Sequence, residues 1–292
     1  MTAPAVAAGT AALAVLDAAF RASQARIALA TARVIFARWP AVQPDDLSGT
    51  SAAWLRDSIA VVLAGRTRAE ETADAYVAQV RRLQAPGAAP YDLPPTKPPS
   101  FEQIRRSLEF QAISQTAREL WRTENVREGV RDDPNADQDS EDRTAAGTKQ
   151  RLMQEAIARA TATAVRHVTT AGQDRVYDHI QADPVATGWA RVTKPGCCYF
   201  CAMLASRGAV YKEDSFEESD PRFHGPGDAK VHDTCGCGLR PIYSRSDPLP
   251  ERNADLEQLW IDMKDLKMPG EGDIQAWRRL YGESELAQPF RE

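Results

Sequence analysis

Apolar residues recur at helical spacing through most of the chain. Over residues 5–39, Leu13, Leu16, Phe20, Ile27, Val34 and Phe36 mark one side of an alanine-rich segment, with Arg21, Arg26, Arg33 and Arg38 beside them. This predicts a first helix, ended by Pro40 and Pro44, because proline has no N–H to continue the ladder. A second helical region follows, with Asp45 or Asp46 as its cap or a later start at Thr50 or Ser51. Its apolar side runs through Trp54, Leu55, Ile59, Val62 and Leu63 to Tyr76, Val80 and Leu83. A third covers residues 101–124, with Ser100 as N-cap and Ile104, Leu108, Ile113, Leu120 and Trp121 apolar. A fourth runs over residues 145–181 and closes at Pro184 and Gly188. Near the end, Leu256, Leu259, Trp260, Met263 and Leu266 form one stripe, and Ile274, Trp277, Leu280 and Tyr281 form another. These stripes predict helices over 253–266 and 272–286. Packing on the body is their expected use, with docking on a partner as the alternative.

The breaks in this pattern organise the chain. APGAAPYDLPPTKPPS is too proline-rich for a helix and predicts a strap over 86–99. The acidic stretch GVRDDPNADQDSEDR lacks an apolar stripe, so a loop is expected over 128–144. Asp132, Asp133, Asp137, Asp139 and Asp142 do not follow EF-hand spacing. GWARVTK then opens a segment of strand character, and the polar insertion from Tyr211 to Lys230 has Phe216 and Phe223 as its anchors. The predicted fold is mainly α with a small α+β module. A helical body over 1–182 is followed by a module over 183–245 and a helical tail over 246–292.

Composition narrows the functional classes. With 292 residues the chain can bury one large or two modest cores. A net charge of −5 is too acidic for a dedicated nucleic-acid binder, and the arginines read as a solvated face. No apolar run approaches membrane-spanning length, and the N-terminus lacks the basic region of a secretory signal, so a non-secreted setting is expected.

The chemistry concentrates between Gly196 and Pro241, which holds all five cysteines. Cys198 and Cys201 make a C-x2-C pair, and His232, Cys235 and Cys237 make an H-x2-C-x-C cluster. Two soft-donor clusters separated by a loop match the pattern of a structural zinc site, which needs four N or S ligands. Cys198, Cys201, His232, Cys235 and Cys237 are therefore the candidate metal ligands, five donors for four places. Gly236 and Gly238 allow the sharp turns such a cluster needs. Cys198, rather than the adjacent Cys197, makes the x2 spacing, which leaves Cys197 and His224 as outside candidates. A redox dithiol and a disulfide framework are the competing readings, and the odd cysteine count counts against the second. His167 and His179 have no partner at helical metal-site spacing and read as surface or packed residues.

The segment GWARVTKPGCCYFCAMLASRGAVY, followed by VHDTCGCGLRPIY, resembles the C-terminal module of phage head-morphogenesis proteins of the Mu F-like minor capsid family. The matching positions are Trp189, Cys198, Cys201, Gly208 to Tyr211, His232, Cys235, Cys237 and Leu239 to Tyr243. The wording CAMLASRG, with WPAVQPDDLSGTSAAWLR in the N-terminal half, is similar to an actinobacteriophage branch commonly labelled capsid maturation proteases. The resemblance implies a protein of the virion, at the capsid interior or portal vertex, present in the host cytoplasm during assembly. It implies portal, major capsid or scaffolding protein as partners, with no membrane and no small-molecule substrate.

The protease label finds little support in the residues. Ser206, His232 and Asp233, or Asp228 in place of Asp233, are the candidate catalytic set, and geometry rather than proximity defines such a site. No G-x-S-x-G elbow, H-E-x-x-H helix or cysteine-protease signature is present. A His232 bound to zinc is also unable to act as a free base. Three classes follow: a structural minor capsid protein stapled by zinc, a maturation protease, and a DNA-contacting protein of the packaged head.

Overall fold

The helical spacing condenses into long helices: α1 (Ala3–Arg38), α2 (Leu47–Gln84), α3 (Phe101–Leu108), α4 (Gln115–Arg131) and α5 (Gln138–Ala182). The structure, a computed structural model, describes residues 3–93, 95, 101–131, 138–211 and 237–288. Pro40 ends α1 in a short 3-10 turn, Trp39–Ala41, closed by the Val42 N–H on Trp39 O at 2.8 Å. Of the two candidate caps, Asp46 starts α2, its Oδ1 accepting the Gly49 N–H at 2.9 Å. Between α3 and α4 the chain stays helical through a π-helical stretch, Glu109–Ser114. The acidic stretch expected to be a loop is helical at both ends, since α4 continues to Arg131 and α5 begins at Gln138. Its middle, 132–137, lies outside the described residues.

The chain forms two units. One comprises residues 27–66 and 97–168. Its core holds Ile35, Trp39, Trp54, Ile59, Val62, Ile104 and Leu108 against Ala156, Ala160 and Ala164 of α5. The alanines recur every fourth residue, which keeps one side of α5 narrow enough for close helix packing. Trp39 and Trp54 meet edge to face at 4.9 Å, and their indole N–H groups donate to Met153 O and Ile35 O. Gly65 marks a close approach between helices: a Cβ there would stand 2.5 Å from Thr31 Oγ1 and 2.9 Å from Val168.

The other unit comprises residues 1–26, 67–96 and 169–292. It carries β1 (Gly188–Val192), α6 (Tyr199–Ser206), β2 (Ala209–Tyr211), β3 (Gly238–Ile242), α7 (Glu251–Leu266) and α8 (Asp273–Glu283). The sheet is antiparallel in the order β2-β1-β3, with Trp189 opposite Val210 and Pro241, and Arg191 opposite Leu239. Pro241 is tolerated because β3 is an edge strand. Every residue of β1 and β3 is buried. The sheet shares a core with Leu13, Phe20, Tyr76, Val77, Val176 and Ile180 from the helices. Within it Asp17 and Arg240 form a buried ion pair at 3.0 Å, and the Tyr76 hydroxyl donates to Asp17 at 2.6 Å. Burial pushes the Asp17 carboxyl and the Tyr76 phenol up, and Arg240 pulls the carboxyl back down.

The proline-rich segment leaves α2 without helical structure, and its described part is pinned to the same unit. Arg81 donates to the Ala88 and Ala89 carbonyls, and the Tyr91 hydroxyl meets His179 Nδ1 at 2.5 Å. His179 Nε2 in turn meets Asp74 at 2.8 Å. The C-terminal stripes pack on α6: Leu256, Met263, Trp277 and Tyr281 are buried there, while Leu266 and Ile274 remain exposed. The architecture is mainly helical with one small antiparallel sheet, the fold class expected from the sequence.

Candidate functional site

The site grows from the end of β1. After Val192 the chain turns through Gly196, whose φ of +65° favours glycine, and the Cys197 N–H returns to Lys194 O at 3.2 Å. Cys198 is the N-cap of α6, in extended conformation, and its Sγ accepts the Cys201 N–H at 3.4 Å. A sulfur at an N-cap faces the positive end of the helix, the environment that favours a thiolate and a metal-binding sulfur. The Ala202 N–H closes the first turn on Cys198 O at 3.1 Å. Cys201, Ala202 and Ala205 face a small core that also holds Cys197, Cys237, Leu256, Met263, Ala276, Trp277 and Tyr281.

Cys237 reaches this core at the start of β3, where Gln173 of α5 donates to its carbonyl at 2.9 Å. Its thiol shares this core with that of Cys197, on which it acts as a hydrogen-bond partner in lowering the thiol's pKa. That bond lowers the Cys197 thiol to about 7, against burial, which raises it, and with help from the Tyr281 hydroxyl at 3.2 Å. Tyr281 donates to the Cys197 carbonyl at 2.8 Å, and Trp277 Nε1 donates to the Tyr199 carbonyl at 2.7 Å. Burial, then the contact with Cys197, pushes the Tyr281 phenol up. Arg278 lies over the Tyr199 ring at 4.6 Å. Cys197, Cys198, Cys201 and Cys237 stand as thiols and not disulfides.

The five expected ligands divide accordingly. Cys198, Cys201 and Cys237 fall in one core, while His232 and Cys235 lie outside the described residues, as do His224, Asp228 and Asp233. Among the described residues no group of three or more His, Cys, Asp or Glu side chains is arranged to hold a metal. The described donors suit a soft metal in type, since Cys201 and Cys237 are buried sulfurs and Cys198 sits at a helix N-terminus. Ser206 is buried, and its hydroxyl donates to Met203 O at 2.7 Å, the ordinary back-bond of a helical serine. Among the described residues no helix is long and apolar enough to cross a membrane.

Cys197, Tyr281 and Trp277 are the site residues that spacing did not single out. Cys197 was displaced by its neighbour in the x2 count, yet it is the thiol that touches Cys237. Tyr281 and Trp277 sit on an apolar stripe that reads as core, and only their polar tips show that they grip the cysteine turn.

A mainly helical protein with a cysteine-bearing turn set between a small sheet and two terminal helices defines the class. The family model described as "VG15 protein" matches residues 15–260, and the chain belongs to that family, a family of viral and phage gene products. This is a phage protein. No curated protein and no solved structure matches it.

Proposed function

We propose that this phage protein acts in head morphogenesis as a minor capsid protein of Mu F-like type, its cysteine module stapled by one structural zinc. The carrying observation is the shared core of Cys197, Cys198, Cys201 and Cys237, which brings the C-x2-C turn and the end of the H-x2-C-x-C cluster together. The zinc draws its four ligands from Cys198, Cys201, His232, Cys235 and Cys237. A closed site of this kind contributes folding free energy and leaves no open position for a substrate. Membership of a phage family and the module's sequence pattern support the head-morphogenesis reading, with portal, major capsid or scaffolding protein as partner.

Two measurements test this. Protein purified without a histidine tag should carry about one zinc per chain, with a melting temperature that drops on chelation. Co-expression with the phage's portal, capsid and scaffolding proteins should yield a complex containing this chain, with capsid protein of unchanged length. Shortened capsid protein, lost in Ser206→Ala, would replace this reading with the maturation protease. Metal-free protein of unchanged stability would remove the staple.

A further inference from the structure

A cleft of about 1360 Å³ opens in the unit that carries the sheet, between α1, the end of β1, β3, the start of α7 and the turn after α8. Three residues lining it hold buried polar atoms with no hydrogen-bond partner among the described residues: Thr193 Oγ1, Arg240 Nε and Arg252 Nη1. Thr193 and Arg240 are 5% and 1% exposed. Both terminal nitrogens of Arg240 are committed, to Asp17 and the Pro248 carbonyl, and Nη2 of Arg252 donates to the Leu286 carbonyl. Arg21, also on the cleft, donates to the Thr193 carbonyl. Guanidinium N–H groups can only donate, so what these two arginines leave unmet is an acceptor.

The opposite sign lies at the mouth. Glu251, Asp255 and Glu285 line the cleft and are exposed. A densely charged anion such as a phosphate dianion would have to pass these carboxylates. A single carboxylate attached to a cation satisfies both ends.

We infer that this cleft binds a carboxylate carried by a cationic ligand, the C-terminus of a basic peptide or a free basic amino acid. Thr193, Arg240 and Arg252 take the carboxylate, and the acidic mouth takes the ammonium or guanidinium group. Charge-assisted N–H bonds to a carboxylate supply the orientation.

Calorimetric titration of the full chain tests this with the tripeptide Gly-Gly-Arg as free acid and as C-terminal amide, free L-arginine, and inorganic phosphate. The free acid is expected to bind, and the amide about ten-fold more weakly or worse. Thr193→Val and Arg252→Met should each weaken binding about five-fold with the circular dichroism spectrum of the wild type retained, whereas Arg240 is left intact because it also pairs with Asp17. Arginine binding as tightly as the tripeptide identifies a free amino acid as the ligand, and weaker binding identifies a peptide terminus. The inference is overturned if acid and amide bind alike, if no probe binds at millimolar concentration, if both variants bind as wild type, or if phosphate binds more tightly than the tripeptide.

Discussion

Two buried arginines of the sheet differ in what surrounds them. Arg240 is paired, and its pair sets a sharp expectation. Asp17→Asn leaves a guanidinium buried without its counter-charge and should cost about 3–5 kcal/mol. The double variant Asp17→Leu with Arg240→Met should recover most of that, since a well-packed apolar pair of similar volume replaces a buried ion pair with little loss. Chemical denaturation of the single and double variants measures both, and equal losses in the two would show that packing, not charge, dominates. Arg191 is 2% exposed, and its three guanidinium nitrogens have no hydrogen-bond partner among the described residues. Desolvation of a lone charge costs several kcal/mol, so Arg191→Met should raise the melting temperature. A fall would reveal a partner carboxylate beyond the described residues. Neither role was legible in the sequence. Strand character in GWARVTK and GLRPI is visible, but a pattern of types cannot say that the arginine of the second meets an acid contributed from residue 17 while that of the first meets none among the described residues.

At the scale of elements, the helices were largely legible. Apolar positions three and four apart, with Pro40 and Pro44 as a stop and an aspartate as cap, placed the first two helices to within a few residues. The acidic stretch lacks an apolar stripe, which predicts a loop, yet α4 and α5 extend into it from either side. A helix already nucleated by its packed turns can propagate into polar residues. Gly65 shows what periodicity misses. It lies on an ordinary helical stretch, but Thr31 and Val168 close in on its Cα. Gly65→Ala, which gains intrinsic helix propensity, should nevertheless destabilise by about 1–3 kcal/mol through overpacking. A rise in stability on denaturation would contradict the tight crossing. The proline-rich segment is an element held by polar pins. Burial holds the His179 imidazole below its ordinary range, although Asp74 pulls it up. A histidine with a lower pKa folded than unfolded must lose its proton to fold, so its contribution is complete above about pH 6.5 and declines as the pH falls below that. Melting temperatures between pH 7.5 and 5.5 should therefore fall more for wild type than for His179→Gln.

For the whole molecule, the class was legible and the completion of the site was not. Length, the helical stripes and one strand-like segment gave a mainly α protein with a small sheet. The C-x2-C pair pointed to the turn at which Cys198 and Cys201 sit. What no spacing rule carries is that the same turn is gripped from α8, 84 residues away along the chain. The overall charge of −5 also bears on the DNA-contacting alternative. At 150 mM salt, fluorescence anisotropy with a duplex should show no binding tighter than the non-specific range, about 10⁻⁴–10⁻⁶ M.

The grip of Trp277 and Tyr281 on the backbone of Tyr199 and Cys197 also orders events during synthesis. A ribosome delivers the cysteine turn well before α8, so the nascent turn emerges without the two hydrogen bonds that fix its shape. Maturation of the thiol cluster is thereby deferred until α8 has emerged. Ribosome-stalled chains ending just before Trp277 should leave these cysteines open to alkylation that the finished protein resists.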